Sequence, residues 1–182
     1  WEVGVRATAL EGRLRGQISY FEIQVKNLID FDTTPPPQLV NRSRLVSRGS
    51  ELEFDWQALE WLDLRGGVTF NYTNFAGNGG PDPTNRPKWR GFAEVAIEPV
   101  DAIELSLRIL AVSSVKATSF RTGSAVSTLA GYERVDFRAA WTPLEWVDLF
   151  VEIENLTNRT YREAVGFESP GIAPRAGVTF RL

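Results

Sequence analysis

Apolar and polar residues alternate with a period of two along most of this chain. Over 62–73 the even positions are Leu62, Leu64, Gly66, Val68, Phe70 and Tyr72, and the odd ones are Asp63, Arg65, Gly67, Thr69, Asn71 and Thr73. Val147, Leu149, Val151 and Ile153 alternate in the same way with Asp148, Phe150, Glu152 and Glu154, and Ile103, Leu105, Leu107 and Ile109 alternate with Glu104, Ser106 and Arg108. Successive side chains of a strand point to opposite faces, so this is strand periodicity with one apolar and one polar face. No window holds apolar residues at helical spacing for three turns. Nine strands are predicted, over 1–10, 13–29, 38–58, 62–73, 88–98, 102–109, 132–142, 147–154 and 173–182. Within 13–29 the phase slips, Leu14, Ile18 and Tyr20 giving way to Phe21, Ile23 and Val25, and a bulge is expected near residues 20–21.

Composition removes most chemistry. The 182 residues contain no Cys, His or Met. Disulfides, thiolate metal sites and every mechanism that needs an imidazole are therefore excluded within the chain. A net charge of −3 gives no electrostatic case for nucleic acid. No stretch approaches the ~20 apolar residues of a membrane helix, but a membrane β-barrel stays open because its strands are only half apolar. The chain starts at Trp1 without an initiator Met or a signal peptide, and is expected to be part of a longer protein.

Strand length and loop length then point the same way. Several runs keep their pattern for ten or more residues, against ~5–6 in an ordinary strand, and strands of ~9–11 residues are what a bilayer requires. Short connections at Leu10–Gly12, Leu59–Trp61, Pro99–Asp101 and Pro143–Glu145 alternate with long ones near 30–37, 74–87, 116–130 and 162–172. Tight turns on one rim and long loops on the other describe a transmembrane β-barrel with periplasmic turns and extracellular loops. The loops 30–37 and 76–87 are too rich in Pro and Gly to be expected in a ladder.

An internal repeat marks the short-turn end. Trp56-Gln-Ala-Leu59-Glu60-Trp61-Leu62-Asp63-Leu64 returns as Trp141-Thr-Pro-Leu144-Glu145-Trp146-Val147-Asp148-Leu149, with a weaker copy at Ile97–Leu105, at intervals of about 41 to 44 residues. A β-propeller has a similar period, but each interval here holds two long strands rather than four short ones. Trp56, Trp61, Trp141 and Trp146 flank these turns and are expected to form an aromatic girdle at the membrane interface; the alternative is the covered end of a soluble sandwich.

Four stretches resemble the C-terminal part of the barrel of TonB-dependent outer-membrane receptors. They are Val25-Lys26-Asn27-Leu28-Ile29; Asn41 with Ser47-Arg48-Gly49-Ser50-Glu51-Leu52-Glu53; Glu154-Asn155-Leu156-Thr157-Asn158-Arg159-Thr160-Tyr161; and Gly166–Gly171 followed by Pro174–Phe180. Their order and spacing cover essentially the whole chain, 1–182. The final strand carries Ala176, Val178, Phe180 and Leu182 on one face and ends in Leu182 where the family usually has an aromatic residue.

The resemblance implies an all-β, antiparallel barrel segment in the outer membrane of a Gram-negative bacterium. It implies active uptake of a scarce solute such as an iron–siderophore complex, driven by the inner-membrane proton motive force. Implied partners are outer-membrane lipid, the plug domain and remaining barrel strands of a parent protein, a TonB-type energy-coupling protein and a small-molecule ligand such as a siderophore, with no nucleic acid. The plug and the coupling box are not found in these residues. The alternatives are a passive porin-like channel and a soluble all-β binding module.

No catalytic, cofactor or metal site is predicted. Glu51/Glu53 and Glu152/Glu154 stand ~7 Å apart along one strand face, a glycosidase-like separation, yet they read better as lumen-facing polar rows. Arg48 and Gly49 are expected to mark a bulge or a close cross-strand contact. Asn155 and Asn158 are expected to begin the loop after the penultimate strand. Gly77-Asn78-Gly79-Gly80 lacks the Lys-Ser/Thr and the helix of a phosphate loop, and Asp82 with Asn85 lacks EF-hand spacing. Arg86, Lys88 and Arg90, interleaved with Trp89, read as a solvated rim or a strand end near lipopolysaccharide phosphates. Phe31, Phe75, Asn78, Phe120, Arg121 and Phe167 are loop candidates for ligand contact, none singled out.

Overall fold

A computed structural model of the chain describes residues 1–32, 36, 38–75, 83–119 and 125–181. In chain order the strands are β1 (Glu2–Ala9), β2 (Leu14–Asp32), β3 (Gln38–Leu59), β4 (Leu62–Phe75), β5 (Trp89–Val100), β6 (Ile103–Val112), β7 (Val115–Ser119), β8 (Ala125–Leu129), β9 (Tyr132–Leu144), β10 (Val147–Glu154) and β11 (Ala173–Phe180). Nine of them form one sheet in the order β1-β2-β3-β4-β5-β6-β9-β10-β11, every pairing antiparallel, and β7-β8 is a separate hairpin. The main sheet is thus the nine-stranded meander that the alternation predicts. β1 and β11 are its two edges.

Cross-strand register turns the alternation into two continuous surfaces. Leu14, Trp56, Leu64, Val95, Leu107, Phe137 and Ile153 are successive partners across seven strands, a row with no polar member. Among the described residues no second layer packs on this face: Ile18 is 55% exposed and Phe70 54%. A soluble sandwich buries such a face in its core; one that stays bare over a whole sheet requires an apolar solvent. Along β4 the band runs from Leu62 to Tyr72, about ten steps of ~3.3 Å, which at a barrel tilt of ~45° spans ~23 Å, close to the apolar band of an outer-membrane barrel.

The short turns repeat in structure as they do in sequence. Leu59 pairs with Leu62, Val100 with Ile103 and Leu144 with Val147, so each copy of the repeat encloses two residues: Glu60-Trp61, Asp101-Ala102 and Glu145-Trp146. Each pairing slips in register beside its turn, at Gln57/Leu59, Ile97/Val100 and Val147/Leu149. The first connection is a short 3-10 turn at Leu10–Gly12, where Leu10, Glu11 and Gly12 all have positive φ. Trp56, Trp61, Trp141 and Trp146 lie exposed at this end, as a girdle requires. A second aromatic group, Trp1, Tyr20, Phe70, Tyr72 and Trp89, is exposed on the same apolar face toward the long-loop side. Trp1 and Tyr20 are in ring contact at 5.5 Å.

Three expectations are corrected. There is no bulge at 20–21: β2 and β3 pair in unbroken register there, Tyr20 with Ser50 and Phe21 with Gly49. The phase slip is a change of surroundings instead. Past Tyr20 the outer side of the strand leaves the apolar band, so Phe21 and Val25 turn to the inner face, where Val25 joins Leu45 and Phe75 in one cross-strand row and Leu45 is buried. The segment 30–37 is partly ladder, because Asp30, Phe31 and Asp32 pair with Val40, Leu39 and Gln38. The segment 116–130 contains most of the β7-β8 hairpin, whose five-residue strands carry too few large apolar side chains to stand out from loop composition. Leu182 lies outside the described residues.

Glycines hold the curved wall at close quarters. A Cβ at Gly49 would lie 2.5 Å from Phe21 Cζ and 2.1 Å from the Phe70 carbonyl oxygen. The Arg48–Gly49 position is therefore a close approach without a register shift. Phe21 and Gly49 are direct cross-strand partners, as are Phe54/Gly66, Phe92/Gly67 and Phe150/Gly177. In each pair the ring covers the strand that lacks a side chain.

Candidate functional site

The polar face is the concave one, and its charges are arranged by register. Arg15, Asp55, Arg65, Glu94, Arg108 and Asp136 are successive partners across six strands and alternate in sign. Within the row, Arg65 lies 3.6 Å from both Asp55 and Glu94, and Arg108 3.6 Å from Glu94. Neighbouring rows add Arg138–Glu104 at 3.4 Å and Arg181–Asp148 at 2.7 Å. Exposed ion pairs contribute little singly, about 0–1 kcal/mol, but together they line a wet wall on which a carboxylate costs far less than it would facing lipid. These rows border a concavity of about 560 Å³ holding five arginines (Arg65, Arg90, Arg108, Arg134, Arg138) and five carboxylates (Glu94, Glu104, Asp136, Glu152, Glu154).

The paired glutamates lie on this same inner face. Arg175 bridges Glu152 at 2.7 Å and Glu154 at 2.9 Å, so that pair serves as one guanidinium's counter-charge. Glu51 and Glu53 share the inner face of β3, opposite Ser19 and Gln17. Among the described residues no group of three or more carboxylates gathers as metal ligands would.

The loop after β10 is locked by its asparagines. Asn155 has a left-handed backbone (φ 53°) and is 1% exposed. Its Nδ2 donates to the carbonyls of Arg159 (2.9 Å) and Pro170 (3.2 Å), and its Oδ1 accepts from the Arg159 N–H (2.9 Å). Its own N–H donates to Asp136 Oδ1 at 2.9 Å, tying the loop to the charged wall. Asn158, also left-handed, accepts from the Ile172 N–H at 3.0 Å beside Gly171, where a Cβ would lie 2.6 Å from Asn158 Oδ1. Both asparagines therefore stand where the loop begins. Tyr161, seven positions into the same motif, stacks on Tyr132 with ring centroids 4.2 Å apart. Tyr132 lies beyond the outermost apolar position of β9, Val135. Burial, then its bond to Glu163, pushes the Tyr132 hydroxyl above the ordinary tyrosine range. This tyrosine pair was not singled out in the sequence, although Tyr161 closes a recognised motif.

The basic triplet is divided by the strand. Phe70 pairs with Trp89 on the outer face, and Thr69 pairs with Arg90 on the inner face. The N–H of Asn71 donates to the Lys88 carbonyl at 2.7 Å, which puts Lys88 on the inner side with Arg90. A second concavity, about 360 Å³, lies between the upper end of β4 and the β7-β8 hairpin, lined by Asn71, Thr73, Arg86, Lys88, Ser114 and Lys116 among others. The segment 83–88 is seated there by the Asn85 N–H donating to the Lys116 carbonyl (2.7 Å) and by Thr118 with Thr84 (3.3 Å). The triplet's cations are exposed, as a solvated rim requires, and Lys88 and Arg90 stand on the inner side, opposite the face that Trp89 occupies.

Of the loop candidates, Phe167 is exposed in the loop between β10 and β11, and Phe75 ends β4 on the inner face opposite Leu45. Phe31 is placed by its backbone alone, paired with Leu39. Asn78, Phe120 and Arg121, like the Gly77–Gly80 run and Asp82, lie outside the described residues. Phe75 and Phe167, the candidates whose side chains are described, share no contact or concavity among the described residues.

With this geometry in hand, comparison with known proteins is specific. Residues 1–156 match the family model described as TonB dependent receptor-like, beta-barrel. No curated protein matches. Among solved structures, the siderophore receptor PiuA from Acinetobacter baumannii aligns with a TM-score of 0.78 at 18% identity, covering 98% of this chain and 28% of that one. The pyoverdine outer-membrane receptor FpvA from Pseudomonas aeruginosa, bound to pyoverdine, gives 0.78 at 17% identity, covering 100% and 29%. The ferric-catecholate import receptor Fiu from K12 E. coli gives 0.79 at 14% identity, covering 98% and 27%. At such identities the likeness is one of fold, and the chain spans less than a third of the length of each of these proteins.

Proposed function

The chain belongs to the TonB-dependent receptor-like β-barrel family, and from that membership we propose that it forms the C-terminal part, 1–182, of the barrel wall of an outer-membrane active-transport receptor for iron–siderophore complexes. The observation that carries this reading is the two-faced single sheet. One face is a bare apolar band edged by aromatics at both ends, suited to lipid. The other is a charge-balanced concave wall, suited to a hydrated interior occupied by a plug domain.

In this reading the short turns face the periplasm, and the loops after β2, β4, β6 and β10 face the medium. β1 and β11 are joined by the remaining strands of the parent barrel, because unpaired backbone groups are not tolerated in hydrocarbon. The plug and a TonB-type partner supply gating and energy. The wall's role is reception and passage of a solute rather than catalysis.

The test is energised uptake. Deleting the parent gene is expected to abolish accumulation of radiolabelled iron from at least one siderophore under iron limitation, and a protonophore is expected to abolish the same uptake in the wild type. Uptake that proceeds through the barrel despite the protonophore overturns the active receptor in favour of a passive channel.

A further inference from the structure

The outer face of the sheet changes character just beyond its apolar band. Strand parity puts Tyr20, Ser50 and Phe70 in one outward row at the aromatic edge. The next outward residues toward the long loops are Glu22, Gln24 and Lys26 on β2, and Arg48, Val46 and Arg44 on β3. Arg48, the partner of Tyr72, binds Glu22 at 2.7 Å. Lys26 and Arg44 are direct cross-strand partners, so two cations stand opposite each other. Like charges in that position repel and weaken the pairing. Neither makes an ion pair among the described residues, and the Arg44 Nε is buried without a hydrogen-bond partner. The next carboxylate outward on this face, Asp30, starts four residues or ~13 Å beyond Lys26, more than a Debye length of ~8 Å. Three cations therefore share one near carboxylate on a face that continues the lipid-exposed band.

Height above the band decides what can reach these cations. Arg48 lies two residues beyond Ser50 and Arg44 six, which at ~3.3 Å per residue and a tilt of ~45° puts them ~5 Å and ~14 Å past the aromatic row. The headgroup layer of an ordinary bilayer is only ~5–8 Å thick on each side. The phosphate of a glycerophospholipid therefore meets Arg48, which already holds Glu22, and falls short of Lys26 and Arg44. A headgroup that carries phosphate on a taller sugar scaffold reaches all three, while its acyl chains run down the bare face over Tyr20 and Ile18, both exposed.

We propose that Lys26, Arg44 and Arg48 form a docking site, on the outer face of the wall, for a phosphorylated glycolipid of the outer leaflet. This rests on the receptor reading above, which turns the long-loop rim toward that leaflet. A phosphate seated between Lys26 and Arg44 removes their mutual repulsion and gives the Arg44 Nε an acceptor. The site lies across the wall from the hydrated interior, so lipid bound there competes with no solute.

The experiment uses the full-length parent receptor, purified in detergent and stripped of lipid, with three probes added singly. They are short-chain lipopolysaccharide carrying its phosphates, the same molecule after enzymatic dephosphorylation, and phosphatidylglycerol. Bound lipid is counted by native mass spectrometry over a concentration series. The wild type is expected to hold the phosphorylated glycolipid about tenfold or more tightly than either control. Lys26→Gln with Arg44→Gln is expected to weaken it about tenfold and to leave phosphatidylglycerol unchanged. Lys26→Arg with Arg44→Lys, which keeps both charges, is expected to retain most of the affinity and guards against misfolding. Equal affinity of the wild type and the double Gln variant for the phosphorylated glycolipid overturns the site. Equal retention of the dephosphorylated form overturns it too, and a preference for phosphatidylglycerol replaces it with an ordinary phospholipid contact. Uptake is read separately: a parent that accumulates no iron from any siderophore, yet binds the glycolipid in this pattern, supports the site and ends the receptor reading.

Discussion

Phe54 on β3 lies over its direct partner Gly66 on β4, so closely that a Cβ at position 66 would fall 2.5 Å from the ring's Cε1. The pair sits within the apolar band, where ring and bare backbone make one smooth lipid-facing surface. Gly66→Val in the parent barrel is expected to destabilise it by about 1–3 kcal/mol through overpacking. Combining it with Phe54→Ala should restore part of that loss, a non-additivity measurable by urea unfolding in vesicles. Simple additivity of the two changes would show that the ring does not occupy that space.

The apolar face makes a depth-dependent prediction. Val68 lies near the middle of the band on β4 and pairs with Leu52. Val68→Arg is expected to cost about 2–4 kcal/mol of folding free energy in a bilayer, and Trp56→Arg, near the short-turn interface, about 0–1 kcal/mol from its charge. Thr69→Arg, one residue along but on the inner face, should be far milder than Val68→Arg. Refolding titrations into phosphatidylcholine vesicles measure all three, and equal costs for Val68→Arg and Thr69→Arg would contradict the assignment of faces.

The tryptophans should report the girdle directly. Brominated lipids carrying bromine near the headgroup are expected to quench Trp56, Trp61, Trp141 and Trp146 strongly, and lipids brominated near the bilayer centre weakly. Single-tryptophan versions of the parent receptor separate these signals from those of Trp1 and Trp89, which belong to the opposite interface.

Asn155 is the strongest local constraint outside the wall. Replacing it with Ala removes both donors and the acceptor of a buried side chain and leaves a β-carbon in left-handed backbone. A loss of roughly 2–4 kcal/mol is expected, concentrated in the loop after β10. Limited proteolysis should show cleavage within 156–172 before the wall unfolds. Asn155→Asp, which keeps the acceptor for the Arg159 N–H, should fall between the two.

Much of this fold is legible because a barrel wall is written one residue at a time. The alternation of Leu62–Thr73 states which side meets lipid, and the paired Trp56 and Trp141 repeats state where the strands turn. What alternation cannot state is a change of solvent along one strand. Phe21 and Val25 mimic a break in register, because alternation carries no mark of where lipid ends beyond Tyr20. Cross-strand relationships were equally hidden: Arg65, Glu94 and Arg108 lie far apart in sequence, and only the register of β4, β5 and β6 makes them one row. The basic triplet shows the opposite limit. Its parity was visible, but the inner direction of that parity required the Phe70–Trp89 pairing.

The recurrent two-residue turn has a consequence for how such proteins diversify. Cutting between Glu60 and Trp61, between Asp101 and Ala102, or between Glu145 and Trp146 divides the wall at points that share the same local geometry. Each piece between cuts is a cassette of two staves and the loop that joins them. A cassette from one relative can replace that of another with its greasy and wet sides already in phase, so recognition can be exchanged at one end while the junctions at the other are left as they were.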